Sequence, residues 1–279
     1  MTEHLKYASL KLANKLKEDI MLTRAILLPD LHHKHHNKLV WKVVLKFIKW
    51  FKPHKVILTG DAQNMDAVNH WKKDKGDLRS MEGKRLERDY ELFIKEILIP
   101  IEKAVPRAEW IYMGGNHEQW AEDLVNQNPQ LEGLVEPQHC LKLKERGWEW
   151  IPYTTVDKFG SFKRGHYDLG KLRVIHGHYT NKHHAAKTAD MYAKSVAYCH
   201  THDVQQFTKV TIDDPGYHTA QSIGCLCNLS PDYMKGNPNK WVHAFGVVTV
   251  REGGAYSLNV PIIIKGTFNY GKKLFSANK

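Results

Sequence analysis

Cysteine is scarce in this sequence, with four among 279 residues, at positions 140, 199, 225 and 227. Four cysteines are too few for a disulfide framework, and nothing in the sequence implies an oxidising compartment. Long apolar runs are also missing, since no stretch approaches the ~18 apolar residues of a membrane span. Charged side chains interrupt residues 1–17, which therefore fit neither a signal peptide nor an anchor. We expect a cytoplasmic protein with no membrane partner.

Several catalytic signatures are absent as well. The sequence has no P-loop, no Gly-x-Ser-x-Gly elbow and no Gly-x-Gly-x-x-Gly motif, which argues against the enzyme classes that use them. It contains no internal repeat, no low-complexity segment and no Ser/Gly linker. We therefore predict one domain over residues 1–279, with its motifs within 30–202 and a β-rich part at 204–265.

Histidine, by contrast, is abundant. The chain has 18 histidines, and ten of them fall in the three windows 32–36, 176–184 and 200–202. Histidine is the commonest metal ligand in proteins, so this bias indicates a metal site. The 41 Lys and Arg residues outnumber the 30 Asp and Glu residues, and the net charge of +11 favours an anionic partner.

Five short apolar runs each lead directly into polar residues that include Asp, Asn or His. The runs are residues 25–28, 56–59, 110–113, 172–175 and 196–199. Continuous apolar runs of this length are typical of buried strands, and ligands of open α/β sheets bind beyond the carboxyl ends of the strands. We expect the polar side chains to converge on one site.

The segments between and after these runs indicate an α/β (α+β) fold. Apolar residues at helical spacing predict helices at 38–51, 86–101 and about 184–194, and the strand–helix alternation predicts parallel pairing in the first half. After residue 204, turn signals separate β-rich runs that read as hairpins. These runs are residues 206–212, 219–226, 242–250 and 256–264.

The side chains that follow the five runs form a ligand set of two carboxylates, one amide and four imidazoles. They are Asp30, His32, Asp61, Asn116, His176, His200 and His202. This mixture suits Mn²⁺, Fe²⁺ or Zn²⁺ and lacks the thiolates of a structural zinc site. Seven ligands exceed one tetrahedral site but fit two ions ~3.5–4 Å apart that share a carboxylate.

The ordered motifs resemble those of calcineurin-like metallophosphoesterases, in particular the small members encoded by phages and prophages. The motifs are Asp30-x-His32, Gly60-Asp61-x-x-Asn64, Gly115-Asn116-His117-Glu118, His176-Gly177 and His200-x-His202. The stretches 185–202 and 224–227, the latter followed by Trp241 and Gly246, support the narrower likeness. The resemblance implies a four-layered α-β-β-α sandwich.

The resemblance also implies a role for each motif residue. One metal would be bound by Asp30, His32 and His202, the other by Asn116, His176 and His200, and Asp61 would bridge the two. The ions would be two divalent metals, Mn²⁺ first, with Zn²⁺, Fe²⁺, Ni²⁺ and Mg²⁺ left open. A metal-bridging hydroxide would attack phosphorus, and His117 would contact the phosphate or protonate the leaving oxygen. Asn64 and Glu118 would orient the ligands.

Two departures from the family pattern affect what we expect of the last motif and of the type of phosphatase. Cys199 stands where the last motif usually has glycine, which puts the turn that carries His200 in doubt. The third motif lacks the preceding arginine of the phosphoprotein phosphatases, and residues 60–64 lack their Val-Asp-Arg-Gly continuation. The sequence therefore argues against a protein Ser/Thr phosphatase.

The substrate is left open between several classes. The charge of +11 and the basic, tryptophan-containing 65–83 loop favour a phosphodiester, with nucleic acid as a candidate. The candidate substrate contacts are His70, Trp71, Arg79 and His178. A phosphomonoesterase acting on nucleotides or small molecules is the alternative, and a non-catalytic scaffold for protein interactions is a third reading. A phage-encoded member would act in the host cytoplasm.

Two other groups have a structural interpretation. We expect His33, His35 and His36, together with Lys34, to form a solvated start to the helix at 38–51. Cys225 and Cys227 are two residues apart, and we expect them to pack on one face of a strand.

Overall fold

A computed structural model of the chain describes residues 22–69, 73–74, 76, 83–210, 212, 216–231 and 234–278. Fifteen strands lie in the described residues: β1 Thr23–Leu28, β2 Lys55–Leu58, β3 Glu109–Met113, β4 Trp148–Ile151, β5 Thr154–Val156, β6 Phe162–Arg164, β7 Tyr167–Leu169, β8 Leu172–Val174, β9 Ser195–Tyr198, β10 Gln206–Val210, β11 Tyr217–Ser222, β12 Gly246–Val250, β13 Tyr256–Asn259, β14 Thr267–Tyr270 and β15 Lys273–Ser276. The α-helices are α1 Lys38–Phe51, α2 Leu86–Phe93, α3 Ile99–Ala104, α4 Asn116–Gln127, α5 Pro137–Cys140 and α6 His184–Met191.

Helix α1 begins and ends where its sequence signals predict. The side chain of Asn37 accepts hydrogen bonds from the backbone N–H groups of Leu39 and Val40, which satisfies two of the unpaired donors at the start of the helix. Lys52 then turns into the left-handed region at φ +49°, just before Pro53. The apolar stripe of α1 is buried, so the predicted helix at 38–51 is confirmed.

The predicted helix at 86–101 is also present, but its middle is π-helical instead of α-helical. Helices α2 and α3 are joined by a π-helical segment, Ile94–Leu98. The reason lies in Pro100, which has no N–H to donate to the carbonyl of Glu96 four residues earlier. The indole Nε1–H of Trp41 donates to that carbonyl instead, at 3.1 Å.

Two sheets form the centre of a mixed α/β structure. The first has the strand order β13-β12-β1-β2-β3-β4, and its strands β1 to β4 are parallel. The second has the order β10-β11-β9-β8-β7, with β8, β9 and β11 parallel. Two further pairs are separate two-stranded sheets, β5 with β6 and β14 with β15. The parallel pairing predicted for the first half is therefore confirmed.

The predicted hairpins of the second half are present with shorter strands. β10 pairs antiparallel with β11, and β12 pairs antiparallel with β13. The two hairpins join different sheets, because β12 lies antiparallel beside β1 in the first sheet while β11 lies parallel beside β9 in the second. The sequence did not predict this division.

Three apolar clusters surround the sheets. One cluster lies between the sheets and includes Ile57 and Ile111 from the first sheet with Val174 and Ala197 from the second. A larger cluster joins the other face of the first sheet to α1, α2, α3 and α4. The third joins Val196 and neighbouring side chains of the second sheet to Ala189 of α6. Strands in the middle of the sheets, such as β1, β2 and β9, are thus covered on both faces, which explains why their buried residues form continuous apolar runs.

Phe47 lies at the centre of the aromatic part of the largest cluster. Its buried ring contacts Phe245, Phe268, Tyr270 and Phe275 at centroid distances of 5.0–5.4 Å. We expect Phe47→Ala to lower the free energy of unfolding by about 3–5 kcal/mol, because the substitution leaves a cavity. Urea denaturation measures the change. The control Leu134→Ala removes an exposed side chain and should change stability by less than about 0.5 kcal/mol.

Within the described part of the chain, we find no helix with both the length and the apolar character needed to cross a membrane.

Candidate metal centre

The chain enters the candidate site through the loops that follow strands β1, β2, β3, β8 and β9. In each loop the first candidate ligand lies two or three residues after the end of the strand, and Asn116 is also the first residue of α4. The loops deliver the seven ligands predicted from the sequence to one buried region between the carboxyl ends of the two sheets. Asp30, His32, Asp61, His176 and His202 are nearly inaccessible to solvent.

Five of the seven predicted ligands have a backbone conformation that residues other than glycine rarely adopt. The φ angles are +38° for Asp30, +45° for His32, +47° for Asp61, +69° for His200 and +60° for His202. Such conformations cost energy and persist only where surrounding contacts enforce them, and they cluster at functional sites. The strain here is concentrated in the residues that carry the candidate ligand atoms.

One group of ligands consists of Asp30, His32 and His202, whose donor atoms all lie within 4.8 Å of one another. The Nε2 atoms of His32 and His202 are 3.2 Å apart. Oδ1 of Asp30 lies 3.3 Å from Nε2 of His202 and 3.9 Å from Nε2 of His32. Two donor atoms from the loop after β1 and one from the loop after β9 therefore face one point.

A second group lies on the other side of Asp61. Nε2 of His176 is 3.0 Å from Oδ1 of Asn116, and the rings of His176 and His200 are 5.1 Å apart. Oδ2 of Asp61 lies 3.4 Å from Nε2 of His176 and 3.8 Å from Nε2 of His32. One oxygen of Asp61 thus faces an imidazole from each group.

Hydrogen bonds fix the ring orientation of two of these histidines. Nδ1–H of His32 donates to Oδ1 of Asn64 at 3.0 Å, and Nδ1–H of His176 donates to the carbonyl of Thr59 at 3.1 Å. With the proton on Nδ1, each ring presents the lone pair of Nε2 to the cluster. Outer hydrogen bonds of this kind are typical of metal-binding histidines.

His117 lies beside both Asp61 and His32. Its backbone N–H donates to Oδ1 of Asp61 at 2.9 Å, and its Nδ1–H donates to the carbonyl of Asn64 at 2.9 Å. The ring stacks on Trp120 at 4.0 Å, which leaves Nε2 3.8 Å from Oδ2 of Asp61. The ring is only partly buried, so this histidine is positioned at the mouth of the cluster.

Glu118 organises the turn that carries Asp61. Its buried carboxylate accepts hydrogen bonds from the backbone N–H groups of Gly115, Asp61 and Gln63 at 2.8–3.0 Å, and from the hydroxyl of Tyr112 at 2.9 Å. Burial, and then the neighbouring charge of Asp61, raise the pKa of Glu118. Glu118 therefore binds backbone rather than a metal.

Two glycines of the motifs are required by close approach. A side chain on Gly115 would collide with the carboxylate and backbone of Asp61, and one on Gly60 would collide with the ring of His176. Gly60 also has φ +102°. These glycines let the β2 and β3 loops and the His176 ring approach one another closely.

The cluster holds its carboxylates ionised. Burial would raise the pKa of Asp61, but the imidazoles of His176 and His117 keep that pKa well below its ordinary value. Burial also opposes a proton on His202, yet the charge of Asp30 raises the pKa of His202 to about 10. For His32, burial dominates and lowers the pKa to about 3. Positive charge is therefore favoured at the centre.

Two observations indicate that divalent cations fit here. In a tetrahedral site with bonds of ~2.0 Å, ligand atoms lie about 3.3 Å apart, which is close to the distances from Nε2 of His202 to Nε2 of His32 and to Oδ1 of Asp30. Oδ1 of Asp30 is buried and has no hydrogen-bond partner among the residues that the structure describes. Cations at the two groups would also replace the proton on His202.

Cys199 is fully buried, and its side chain packs between the turns that carry the candidate ligands. Its thiol lies 3.2 Å from the carbonyl of Thr59 and 3.3 Å from Nδ1 of His176. The next residue, His200, donates its backbone N–H to Oδ2 of Asp30 at 2.9 Å. The turn is thereby bound to a ligand of the opposite group.

Of the four candidate substrate contacts, the structure describes only His178. His70, Trp71 and Arg79 lie outside the described residues. The ring of His178 packs at a tilt against that of Tyr179, with 4.0 Å between the ring centres, and its buried Nδ1 has no hydrogen-bond partner among the described residues. Burial lowers the pKa of His178. Its place two residues after His176 brings it near the cluster, but a substrate role stays a prediction.

The expectation that residues 33–36 form a solvated helix start is wrong for two of the histidines. His33 and His36 are buried and their rings stack at 5.1 Å, while Nε2 of His33 lies 3.1 Å from a carboxylate oxygen of Glu96. Burial lowers the pKa of His36 to about 4. The polar pattern concealed this burial because the partner, Glu96, comes from the distant π-helical segment.

The folded chain also places two cysteines beside the candidate ligand His202, which their spacing in the sequence did not predict. The predicted strand at 219–226 ends at Ser222, so Cys225 and Cys227 lie beyond it and are buried. Sγ of Cys227 is 3.8 Å from Nδ1 of His202. The hydrogen bond from Cys225, together with the charge of His202, lowers the pKa of Cys227 to about 6. Trp241 packs edge-on against His202 at 4.2 Å.

The known proteins that are similar to this chain are distant from it in sequence. No protein-family model matches the chain, and no curated protein matches it. Among solved structures, Vacuolar Protein Sorting 29 from Cryptosporidium parvum is similar at 12% identity and a TM-score of 0.44, covering 92% of this chain and 99% of the other. Wild-type Vps29 complexed with Zn²⁺ from Entamoeba histolytica is similar at 12% identity and 0.37, covering 86% and 98%. A D62A mutant of Entamoeba histolytica Vps29 is similar at 13% and 0.38, covering 86% and 99%. Similarity at this level does not assign a fold or an activity.

Proposed function

We propose that the protein is a dinuclear metal-dependent phosphoesterase of the calcineurin-like superfamily, of the small phage-encoded type, and that it prefers phosphodiesters. The observation that carries this proposal is the position of Asp61. One of its carboxylate oxygens faces an imidazole of each ligand group, His32 at 3.8 Å and His176 at 3.4 Å. A carboxylate shared between two sets of ligand atoms is the arrangement that a two-metal phosphoesterase requires.

In this proposal the two ligand groups each hold one divalent ion, with Mn²⁺ as the first candidate and Zn²⁺, Fe²⁺, Ni²⁺ and Mg²⁺ as the others. Asp30, His32 and His202 hold one ion, Asn116, His176 and His200 hold the other, and Asp61 contacts both. When bound, such ions activate water as a nucleophile and neutralise charge on a phosphate ester. The four-layered α-β-β-α order belongs to the same proposal and is supported by the three apolar clusters.

The remaining polar side chains position the reacting groups. His117 is fixed by its stacking on Trp120 and by its hydrogen bond to Asn64, so its free Nε2 faces the cluster mouth. From there it contacts the phosphate or delivers a proton to the leaving oxygen. Asn64 fixes His32, and Glu118 fixes the turn of Asp61.

The preference for anionic esters follows from charge. Two dications and the two carboxylates of Asp30 and Asp61 leave a surplus of about +2 in a buried site, which attracts phosphate. The net charge of +11 extends this attraction to polyanions such as nucleic acid.

The test is a metal titration with several substrates. Metal-stripped protein is titrated with Mn²⁺, Zn²⁺ and Mg²⁺, and hydrolysis of bis-p-nitrophenyl phosphate, p-nitrophenyl phosphate, labelled DNA and labelled RNA is followed. We expect two ions per chain and faster hydrolysis of the diester than of the monoester. Faster hydrolysis of the monoester would favour a phosphomonoesterase on nucleotides or small molecules. No turnover with any metal, together with fewer than two bound ions, would leave a non-catalytic scaffold.

The role of Asn64 gives a further prediction. Asn64→Ala removes the acceptor of the Nδ1–H of His32, and we expect metal affinity to fall about 10- to 100-fold because the ring is no longer held. Isothermal titration with Mn²⁺ measures the affinity. The control Asn126→Ala changes an exposed asparagine of α4 and should bind metal as the wild type does. Equal affinities in the two variants would contradict the role of Asn64.

A further inference from the structure

The β5–β6 hairpin, residues 154–164, carries the most exposed aromatic side chains in the neighbourhood of the metal centre. Phe159 is 80% exposed, Phe162 is 78% exposed, and Val156 is 59% exposed. All three residues of β6 are exposed. Contiguous apolar side chains that project into water mark binding surfaces more often than they mark packing.

The strand register places Phe162, Val156 and Arg164 on one face of the hairpin and Lys163 on the other. Val156 pairs with Phe162, and Thr154 pairs with Arg164, so these four side chains project to the same side. Phe162 and Arg164 are two residues apart, which is about 7 Å along a strand. One face therefore presents an aromatic ring and then a guanidinium group.

The charge of the hairpin complements a polyanion. Lys158, Lys163 and Arg164 supply three cations, whereas Asp157 is the one carboxylate in residues 154–166, and its Oδ2 pairs with Nζ of Lys163 at 2.9 Å. Asp157 is already used by the turn, since its Oδ1 accepts from the N–H groups of Phe159 and Ser161 at 2.9 and 3.0 Å. Nζ of Lys158 lies 5.0 Å from the centre of the Phe159 ring. Each exposed ring is thus accompanied by a cation.

The basic face of the hairpin continues to the metal centre. The guanidinium of Arg164 lies 4.2 Å from the ring centre of Tyr153 and donates to the hydroxyl of Thr154 at 3.1 Å. Tyr153 in turn donates its hydroxyl to the carbonyl of Gly177 at 3.2 Å, and its ring is 5.6 Å from that of the candidate ligand His176. Only Tyr153 separates Arg164 from His176 along this path.

We propose that the β5–β6 hairpin binds single-stranded nucleic acid, with bases stacked on Phe159 and Phe162 and phosphates contacting Lys158, Lys163 and Arg164. A strand held in this way passes Tyr153 and presents a neighbouring phosphodiester at the metal centre. Aromatic rings interleaved with cations are the usual surface for single strands, because every base has a face that stacks and every linkage has a charge. This inference rests on the proposed function and names its substrate class.

The test compares nucleic-acid binding with hydrolysis of a small diester. The double variant Phe159→Ser/Phe162→Ser is measured for the Kd of a single-stranded DNA and a single-stranded RNA oligonucleotide, and for hydrolysis of bis-p-nitrophenyl phosphate. Because stacking of a base contributes ~1–3 kcal/mol, we expect the Kd to rise by roughly 5- to 150-fold for each ring that is lost. Hydrolysis of the small diester should stay within twofold of the wild type. The matched control Tyr217→Ser/Leu274→Ser removes two exposed side chains of other strands and should leave the Kd unchanged.

The cations have their own readout. For a single strand, each phosphate contact contributes about 0.7 to the slope of log Kd against log salt concentration, so Lys158→Gln/Lys163→Gln should lower that slope by about 1.4. An unchanged Kd in the double phenylalanine variant, or tight binding of duplex DNA that does not depend on these rings, would overturn the proposal. So would binding of the hairpin to phosphatidylserine vesicles without affinity for oligonucleotides. If wild-type protein binds oligonucleotides through the hairpin but hydrolyses no diester, the proposed function fails and the binding surface stands.

Discussion

Asp61→Asn is expected to reduce phosphodiester hydrolysis to the background rate and to lower the number of bound metal ions below two. The substitution keeps the size of the side chain and leaves an oxygen that can accept from the N–H of His117, so the fold should survive. It removes the negative charge that lies between the imidazoles of His32 and His176. In the proposed dinuclear site both ions share this carboxylate, so both would lose a ligand in one step. Metal analysis of the purified variant and its activity against bis-p-nitrophenyl phosphate measure the two effects.

The control for Asp61 is a carboxylate that is ion-paired elsewhere. Asp168 contacts Arg173 at 2.9 Å and Lys194 at 2.7 Å, away from the candidate ligands. Asp168→Asn should retain two ions and wild-type turnover. If Asp61→Asn also retained two ions and most of its activity, Asp61 would not be a shared ligand, and the dinuclear proposal would be wrong.

His117→Asn is expected to lower kcat by about 10²- to 10⁴-fold while the protein keeps both metal ions. His117 is not a member of either proposed ligand group, and its ring is held by stacking on Trp120 and by a hydrogen bond to the carbonyl of Asn64. Asparagine can still donate a hydrogen bond to a phosphate but cannot transfer a proton at neutral pH. The kinetic constants and the metal content of the variant check this expectation.

Two leaving groups separate the two roles open to His117. A nitrophenolate leaves without protonation, whereas the sugar oxygen of a dinucleotide needs a proton. If His117 protonates the leaving oxygen, the loss in kcat will be larger for the dinucleotide than for bis-p-nitrophenyl phosphate. Equal losses would indicate a phosphate contact instead. The control variant His139→Asn changes an exposed histidine of α5. Wild-type turnover in His117→Asn itself would refute any catalytic role of His117.

The secondary structure near the candidate site was predictable because its signals are local. The run of residues 25–28 is apolar at every position, and the structure buries it as part of β1 between sheet neighbours and two apolar clusters. Asn37 and Pro53 enclose an apolar stripe with helical spacing, and α1 occupies that interval. In each case a few consecutive residues contain the whole signal.

Features that depend on distant partners were not predictable. The polar residues 33–36 resemble a solvated turn, yet His33 is buried against Glu96, which lies 63 residues further along the chain. The strand pattern at 242–250 says nothing of its partner, and only the folded chain places β12 antiparallel to β1. The exposure of the Phe159 and Phe162 rings was likewise not predicted, because it depends on which residues the rest of the folded chain leaves uncovered.

The candidate ligands depend on both the amino-acid order and the tertiary structure. The amino-acid order alone established which side chains follow each strand and that they form a set of carboxylate, amide and imidazole donors, since donor chemistry belongs to the residue. Their separations, such as 3.2 Å between Nε2 of His32 and Nε2 of His202, depend on five strands of two sheets and on turns held at positive φ. Those separations are non-local, because the packing of the two sheets sets them and residues as far apart in the chain as Asp30 and His202 must meet.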